Sequence, residues 1–286
     1  MPPLRLIDLH FGTHERSVGV YLVETNDGLA LQDCGPSSTL PRLREGLAEH
    51  GVDLTDVRHL LLSHIHLDHA GAAGSLVREH PELTVWVSPV GAPHLVDPSR
   101  LERSARRLYG ALFDPLWGEL APVPEGTIRL AEGEVLGWEA FPTVGHASHH
   151  VSYLADGTLL AGDACGIRIA PSSFVLPVSP PPDIDVEAWH ATVAEIRRRK
   201  PDRLALVHFG VHEDAEEHLD RLDLELDRWS SRVEHGMDEA DFVAAARADL
   251  AAEADTYNRV GPLSQSWSGL RRYWDKQARP PEPGNS

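Results

Sequence analysis

Cysteine is nearly missing from this sequence: two residues in 286, Cys34 and Cys165. That excludes a disulfide scaffold and a zinc site built from thiolates. Cationic residues are also scarce, with 26 Lys and Arg against 44 Asp and Glu and a formal charge of −18 at pH 7. Such a balance repels phosphate backbones, which argues against a nucleic-acid partner. No apolar run approaches the roughly eighteen residues that a membrane span needs. The opening Met1-Pro2-Pro3-Leu4-Arg5 has neither the basic nor the apolar segment of a secretory signal, so a cytoplasmic protein is expected. Apolar residues at 42% still suffice for a real core. The length fits one large domain, or one domain with an appendage. The excess is in histidine, with 17 residues unevenly placed.

Short β-rich segments dominate the first third. Residues 4–9, 18–24 and 28–33 read as strands, with Asn26-Asp27-Gly28 as a hairpin turn. Leu43 and Leu47 share a helical face within 41–50, and Gly51 follows as a stop. An apolar run at 57–63 has the length of a buried strand. Residues 70–80 read as a helix ending before Pro81, and 84–88 as a strand. The stretch 97–125 reads as two short helices inserted between strands. Strands are expected again at 127–130, 135–142, 150–155, 158–162 and 203–207. A Pro/Ser-rich loop occupies 170–185, and a helix capped by Asp185 covers 186–199. From 211 to 278 the chain reads as a helical extension, and 279–286 as a disordered tail.

The sequence Ser63-His64-Ile65-His66-Leu67-Asp68-His69 places four potential metal ligands in six residues, after a buried strand and before a helix. His64 and His66 alternate with apolar Ile65, so an extended backbone aims both one way. Asp68 and His69 fall in the next turn and point elsewhere, so one loop can feed two adjacent metal positions. Gly145-His146, Gly162-Asp163 and His208-Phe209-Gly210 each follow an expected strand. A lone histidine is more often surface or satisfied core than a ligand. Together these supply about the seven ligands that two first-row metals require.

These residues, in this order, resemble the metallo-β-lactamase-fold hydrolase superfamily. The resemblance covers roughly 1–210, and Asp33-Cys34-Gly35 is similar to its first motif, which supports the site from behind. It implies a four-layer αββα sandwich with the metals at one sheet edge. It also implies one metal on His64, His66 and His146, a second on Asp68, His69 and His208, and Asp163 bridging. His150 fits a supporting position behind the ligands. The chain departs from the pattern twice. Val207 stands where a glycine often precedes the last histidine, and His149 stands where glycine is frequent; His149 is not assigned as a ligand.

The chemistry so implied is hydrolysis by a hydroxide held between two zinc ions, with iron or manganese as other metals the donors suit. Asp68 or Asp163 would orient the water and take its proton. A small carbonyl ester, lactone or thioester is the expected substrate. The alternatives are a single-iron persulfide dioxygenase and a phosphodiesterase. Tyr109, Phe113 and Trp117, on the insert, are expected to shape an apolar substrate pocket over the metals. Leu219, Leu222, Leu226 and Trp229 form a stripe expected to pack on the main domain, and the oligomeric state stays open.

Overall fold

The computed structural model describes residues 4–278; the tail expected at 279–286 lies outside the described residues. Strands β1 (Arg5–Asp8), β2 (Gly19–Thr25), β3 (Gly28–Gln32), β4 (Val57–Leu61), β5 (Thr84–Val87) and β6 (Ile128–Leu130) form one sheet in sequence order. The first three are antiparallel, β2 and β3 being joined at the Asn26-Asp27 turn, and β3 to β6 run parallel. Parallel neighbours need crossovers. These are α1 (Leu40–Glu49), then α2 (Leu67–Ala70) with α3 (Ala73–Glu79), then α4 (Ala92–Val96), α5 (Ser99–Tyr109) and α6 (Phe113–Trp117).

The second sheet holds β7 (Gly133–Val135), β8 (Trp138–Pro142), β9 (Val151–Ala155), β10 (Thr158–Gly162), β11 (Arg203–Leu206) and β12 (Gly210–His212). Its order is β12-β11-β10-β9-β8-β7, and α7 (Val186–Arg199) crosses between the parallel pair β10 and β11. The Asp185 carboxylate accepts from the Ala188 amide, which caps α7 as its sequence indicates. Helices α8 (Ala215–Glu234), α9 (Glu239–Leu250), α10 (Ala254–Val260) and α11 (Leu263–Gln277) complete the chain. None of the described helices is long and apolar enough to cross a membrane.

Period-two alternation sorts the side chains into layers. Tyr21, Val23, Ala30 and Leu61 from the first sheet meet Tyr153, Leu160 and Ala205 from the second in one buried cluster between the sheets. Their neighbours Val20, Leu22, Leu31 and Leu60 point the other way, onto the helices α1 and α3. Leu159, Leu204 and Leu206 turn outward onto α7 and the C-terminal helices, where Leu219, Leu222, Leu226 and Trp229 join the same core. The layers run helix, sheet, sheet, helix, which is the αββα sandwich.

Three elements differ from the sequence reading. Residues 135–142 are a hairpin, not one strand, because Leu136 and Gly137 both take positive φ (57° and 92°) and reverse the chain. The expected helix 70–80 is interrupted at Gly71 and Ala72, and its first turn starts earlier, at Leu67. Strand β12 was not expected; it extends the second sheet to His212.

Candidate metal centre

The ligand-type residues sit where strands leave the sheets. The connection after β4 carries His64, His66, Asp68 and His69; the β8–β9 connection carries His146 and His150. Asp163 follows β10, and His208 lies between β11 and β12. Glycine serves a steric purpose at two of these exits. A Cβ on Gly145 (φ 133°) would come within 2.4 Å of the Trp189 backbone, and one on Gly162 (φ 53°) within 2.6 Å of His150 Nε2 and Ser63 Cβ. Before His208, Val207 needs no such turn. It is buried in the first sheet's core, and its carbonyl accepts from the Gly19 amide at 2.9 Å.

Three overlapping sets of donor atoms converge within 4.8 Å: His64, His66 and His146; His64, His69 and Asp163; Asp68, His69 and His208. The first and last are the two trios the sequence implied, and each draws on both sheets. Asp163 lies between them. Its Oδ2 is 3.5 Å from His146 Nε2, while its Oδ1 is 3.3 Å from His69 Nε2 and 3.5 Å from His208 Nε2. Asp68 Oδ2 is 3.5 Å from His208 Nε2 and 3.8 Å from His69 Nε2. His64 Nε2, His69 Nε2 and Asp163 Oδ1 are buried and make no hydrogen bond. Orphaned polar atoms are rare in folded interiors, and three converging in one imidazole-carboxylate cluster fit a first-row divalent cation.

The far side of each ring is tied down. His69 Nδ1 lies 2.8 Å from Asp33 Oδ2, His146 Nδ1 donates to the Val178 carbonyl at 2.7 Å, and His208 Nδ1 donates to the Ser17 carbonyl at 2.6 Å. Such outer bonds fix the tautomer and aim Nε2 inward. His150 supports Asp163 from behind. Its Nε2 accepts the Asp163 amide at 3.0 Å, so its Nδ1–H donates to Thr143 Oγ1 at 2.7 Å. Thr143 Oγ1 continues to Ser152 Oγ, which donates to the Ala161 carbonyl.

Charge divides the cluster. Burial, with neighbouring imidazoles, holds His64 and His66 well below the usual histidine value. At His69 and His208 burial again opposes charge, but the carboxylates of Asp163 and Asp68 outweigh it and raise both. Burial also opposes ionised Asp68, yet His69 and His208 bring its carboxyl down to about 2. Asp163 is likewise held low, against burial, by His69, His208 and His146.

The family model of the metallo-beta-lactamase superfamily matches residues 15–208. The chain belongs to this superfamily. The metallo-beta-lactamase fold-containing protein ST1585 of Sulfurisphaera tokodaii is 26% identical over 180 residues, 59% of this chain and 67% of that one. The uncharacterized protein YobT of Bacillus subtilis is 28% identical over 163 residues, spanning 53% of this chain and 63% of its own length. The metallo-beta-lactamase family protein TTHA1429 of Thermus thermophilus superposes with a TM-score of 0.65 at 19% identity, covering 96% of this chain and 93% of that one. TTHA1623, solved in a di-iron-bound form, superposes with a TM-score of 0.53 at 22% identity, covering 71% and 91%.

Within this metallo-beta-lactamase scaffold, His149 has an ordinary backbone conformation, so the glycine that often stands there is not required. Its ring stacks beside His64, 6.0 Å between centroids, and burial pulls its pKa down to about 4. Burial pushes the Cys165 thiol up to about 12, and Cys34 higher still, so both are inert core residues. Val178 and Ser17 were missed by sequence reasoning. They act through carbonyls, which every residue carries, and no side-chain signal marks them.

The insert differs from expectation. Gly110 (φ 55°) breaks the helix between α5 and α6, so 109–117 present no continuous face, and Leu112 is 62% exposed. Phe113 (fully buried) and Trp117 (8% exposed) turn their rings inward. They are buried with Leu67 in a small core of their own, where Trp117 stacks on Phe11 at 5.0 Å and meets Tyr109 edge-on at 5.1 Å. Tyr109 is the half-buried member of the three; burial first, and then the Asp68 carboxylate, raise its hydroxyl pKa. Trp117→Ala is therefore expected to cost about 3 kcal/mol, the low end for deleting a buried aromatic. Chemical denaturation of the purified variant measures it; an unchanged midpoint with altered substrate preference would return Trp117 to the pocket.

Proposed function

We propose that this chain is a metal-dependent hydrolase that binds two divalent cations and cleaves a small carbonyl ester, lactone or thioester. The observation that carries this reading is the split of the Asp163 carboxylate, one oxygen toward His146 and the other toward His69 and His208. His64, His66 and His146 would hold one cation, Asp68, His69 and His208 the other, with Asp163 shared between them. When bound, such cations lower the pKa of a coordinated water toward ~7 and polarise the substrate oxygen. Zinc is our first choice, with iron or manganese compatible with the same donors.

The protein's own groups then divide the work. Asp163 is closed in, its side chain only 4% exposed, and would hold the cations rather than carry a proton to solvent. Asp68 is open at 24% and would orient the attacking water and take its proton. Asp33 and the Val178 and Ser17 carbonyls hold the imidazoles still while charge develops. Asp68 facing both His69 and His208 favours two cations over the single iron of a persulfide dioxygenase. The acidic balance of the chain favours a small substrate over a nucleic-acid phosphodiester or a membrane surface.

Elemental analysis of protein purified without chelator, followed by a panel of lactones, thioesters, β-lactams and bis(p-nitrophenyl) phosphate, tests the proposal. We expect close to two metal ions per chain and fastest turnover of esters or lactones. One iron per chain would support the dioxygenase, phosphodiester turnover above all carbonyl substrates would support the phosphodiesterase, and no metal would overturn the reading.

A further inference from the structure

We propose that the C-terminal helix α11 positions His146, by bracing the loop segment whose carbonyl fixes that imidazole. The inference rests on His146 being a metal ligand, as proposed above. His146 Nδ1 donates to the Val178 carbonyl at 2.7 Å, and this bond turns Nε2 toward Asp163 and toward His66 Nδ1, 3.0 Å away. Val178 lies in the Pro/Ser-rich loop between β10 and α7; a two-way backbone bridge between Ile167 and Leu176 ties the loop just before it, and no strand or helix holds the residues from Val178 to Asp185. That stretch leans on a neighbouring helix.

Helix α11 supplies the brace. Ser179, the next residue, is fully buried, and its amide donates to Ser266 Oγ at 3.4 Å. One turn on, Gly269 lies against the same residue: a Cβ there would sit 1.9 Å from the Ser179 carbonyl oxygen and 3.0 Å from the Pro180 carbonyl carbon. Ser266 and Gly269 are three apart and share a helix face. Glycine in a helix interior costs about 1 kcal/mol relative to alanine, and the close approach of backbone to backbone is what it permits here. Lys276 reaches the Pro182 carbonyl at the far end of the helix. At the near end Gln265 reaches the Tyr109 hydroxyl, at 3.4 Å, so α11 touches the insert as well as the loop. Ser266 and Gly269 are positioning residues, acting on the metal through Ser179, Val178 and His146.

Gly269→Ala and Ser266→Ala, compared with Leu270→Ala, decide the matter. Leu270 is buried on the same helix within the core that α11 shares with the second sheet, so its truncation destabilises α11 without pressing on Ser179. The readouts are chelator competition for cobalt(II) and the visible spectrum of the cobalt-loaded protein, beside the thermal midpoint. We expect Gly269→Ala to weaken cobalt retention by about 10–100-fold, as for other outer partners of ligating histidines, and to change the spectrum. Ser266→Ala should do the same to a smaller degree, and it carries the test if Gly269→Ala does not fold. Leu270→Ala should lower the midpoint and leave affinity and spectrum unchanged. If the Ser266 and Gly269 variants lose only thermal stability, the helix is packing alone and the inference falls. If the unmodified protein binds no cobalt, it is the metal assignment that falls.

Discussion

Asp33→Ala is expected to cost about 3–5 kcal/mol of stability, the range for removing one partner from a buried charged network. Asp33 is fully buried and serves four neighbours: the Ser63 amide and hydroxyl, each at 2.7 Å, Gln32 Nε2 at 2.6 Å, and His69 Nδ1 at 2.8 Å. Alanine leaves those groups in an interior with no water to replace the carboxylate. Whole domains are stable by only about 5–15 kcal/mol, so the loss is a large share of the total. The same substitution frees the His69 ring to rotate, so affinity for a second cation should fall with it. Urea denaturation and metal titration of the purified variant measure the two effects. A midpoint within error of the unmodified protein would show that the network around Ser63 holds without its carboxylate.

Asp163→Ala should act in the opposite way, abolishing chemistry while sparing the fold. Asp163 makes no side-chain hydrogen bond that the sheets depend on, and its Oδ1 is an orphan. Losing it removes a buried negative charge from a cluster that must otherwise compensate it. We expect bound metal to fall to about one ion per chain and turnover to drop by more than the ~100-fold typical of outer-shell changes. Circular dichroism should be unchanged. Two tightly held ions in this variant would remove Asp163 from the bridging position.

The sequence shows the site more plainly than its surroundings. Residues 64–69 advertise themselves because four potential ligands in six positions have few other uses, and the glycines before His146 and Asp163 mark the sharp exits they make. The layers are legible because alternation in β2, β10 and β11 divides inner from outer residues. The hairpin at 135–142 is hidden because Leu136, an apolar residue, takes a conformation that sequence rules reserve for glycine or asparagine. The fate of Phe113 and Trp117 is hidden for another reason: an aromatic facing a pocket and one facing a satellite core have the same periodicity, and only the break at Gly110 separates them. Gly269 reads merely as a weak point in a helix, since nothing local announces the Ser179 carbonyl lying against it.

Each trio of donor atoms is contributed partly by the loop after β4 and partly by loops of the second sheet. A cation held there is a cross-link between the two halves of the sandwich, made by coordination and reversible with chelator. It can close only when the halves stand at their native separation, so its binding free energy is added to the cohesion of the inter-sheet core. At a free metal concentration about 100 times the dissociation constant, that addition is about 2.7 kcal/mol. Stripping the metal should therefore loosen the seam between the sheets before it loosens either sheet. Amide exchange would speed first at the Gly19 amide, which bridges to Val207, and only later within β3 and β10. Fragments divided between the two halves would reassemble more tightly with metal than without it.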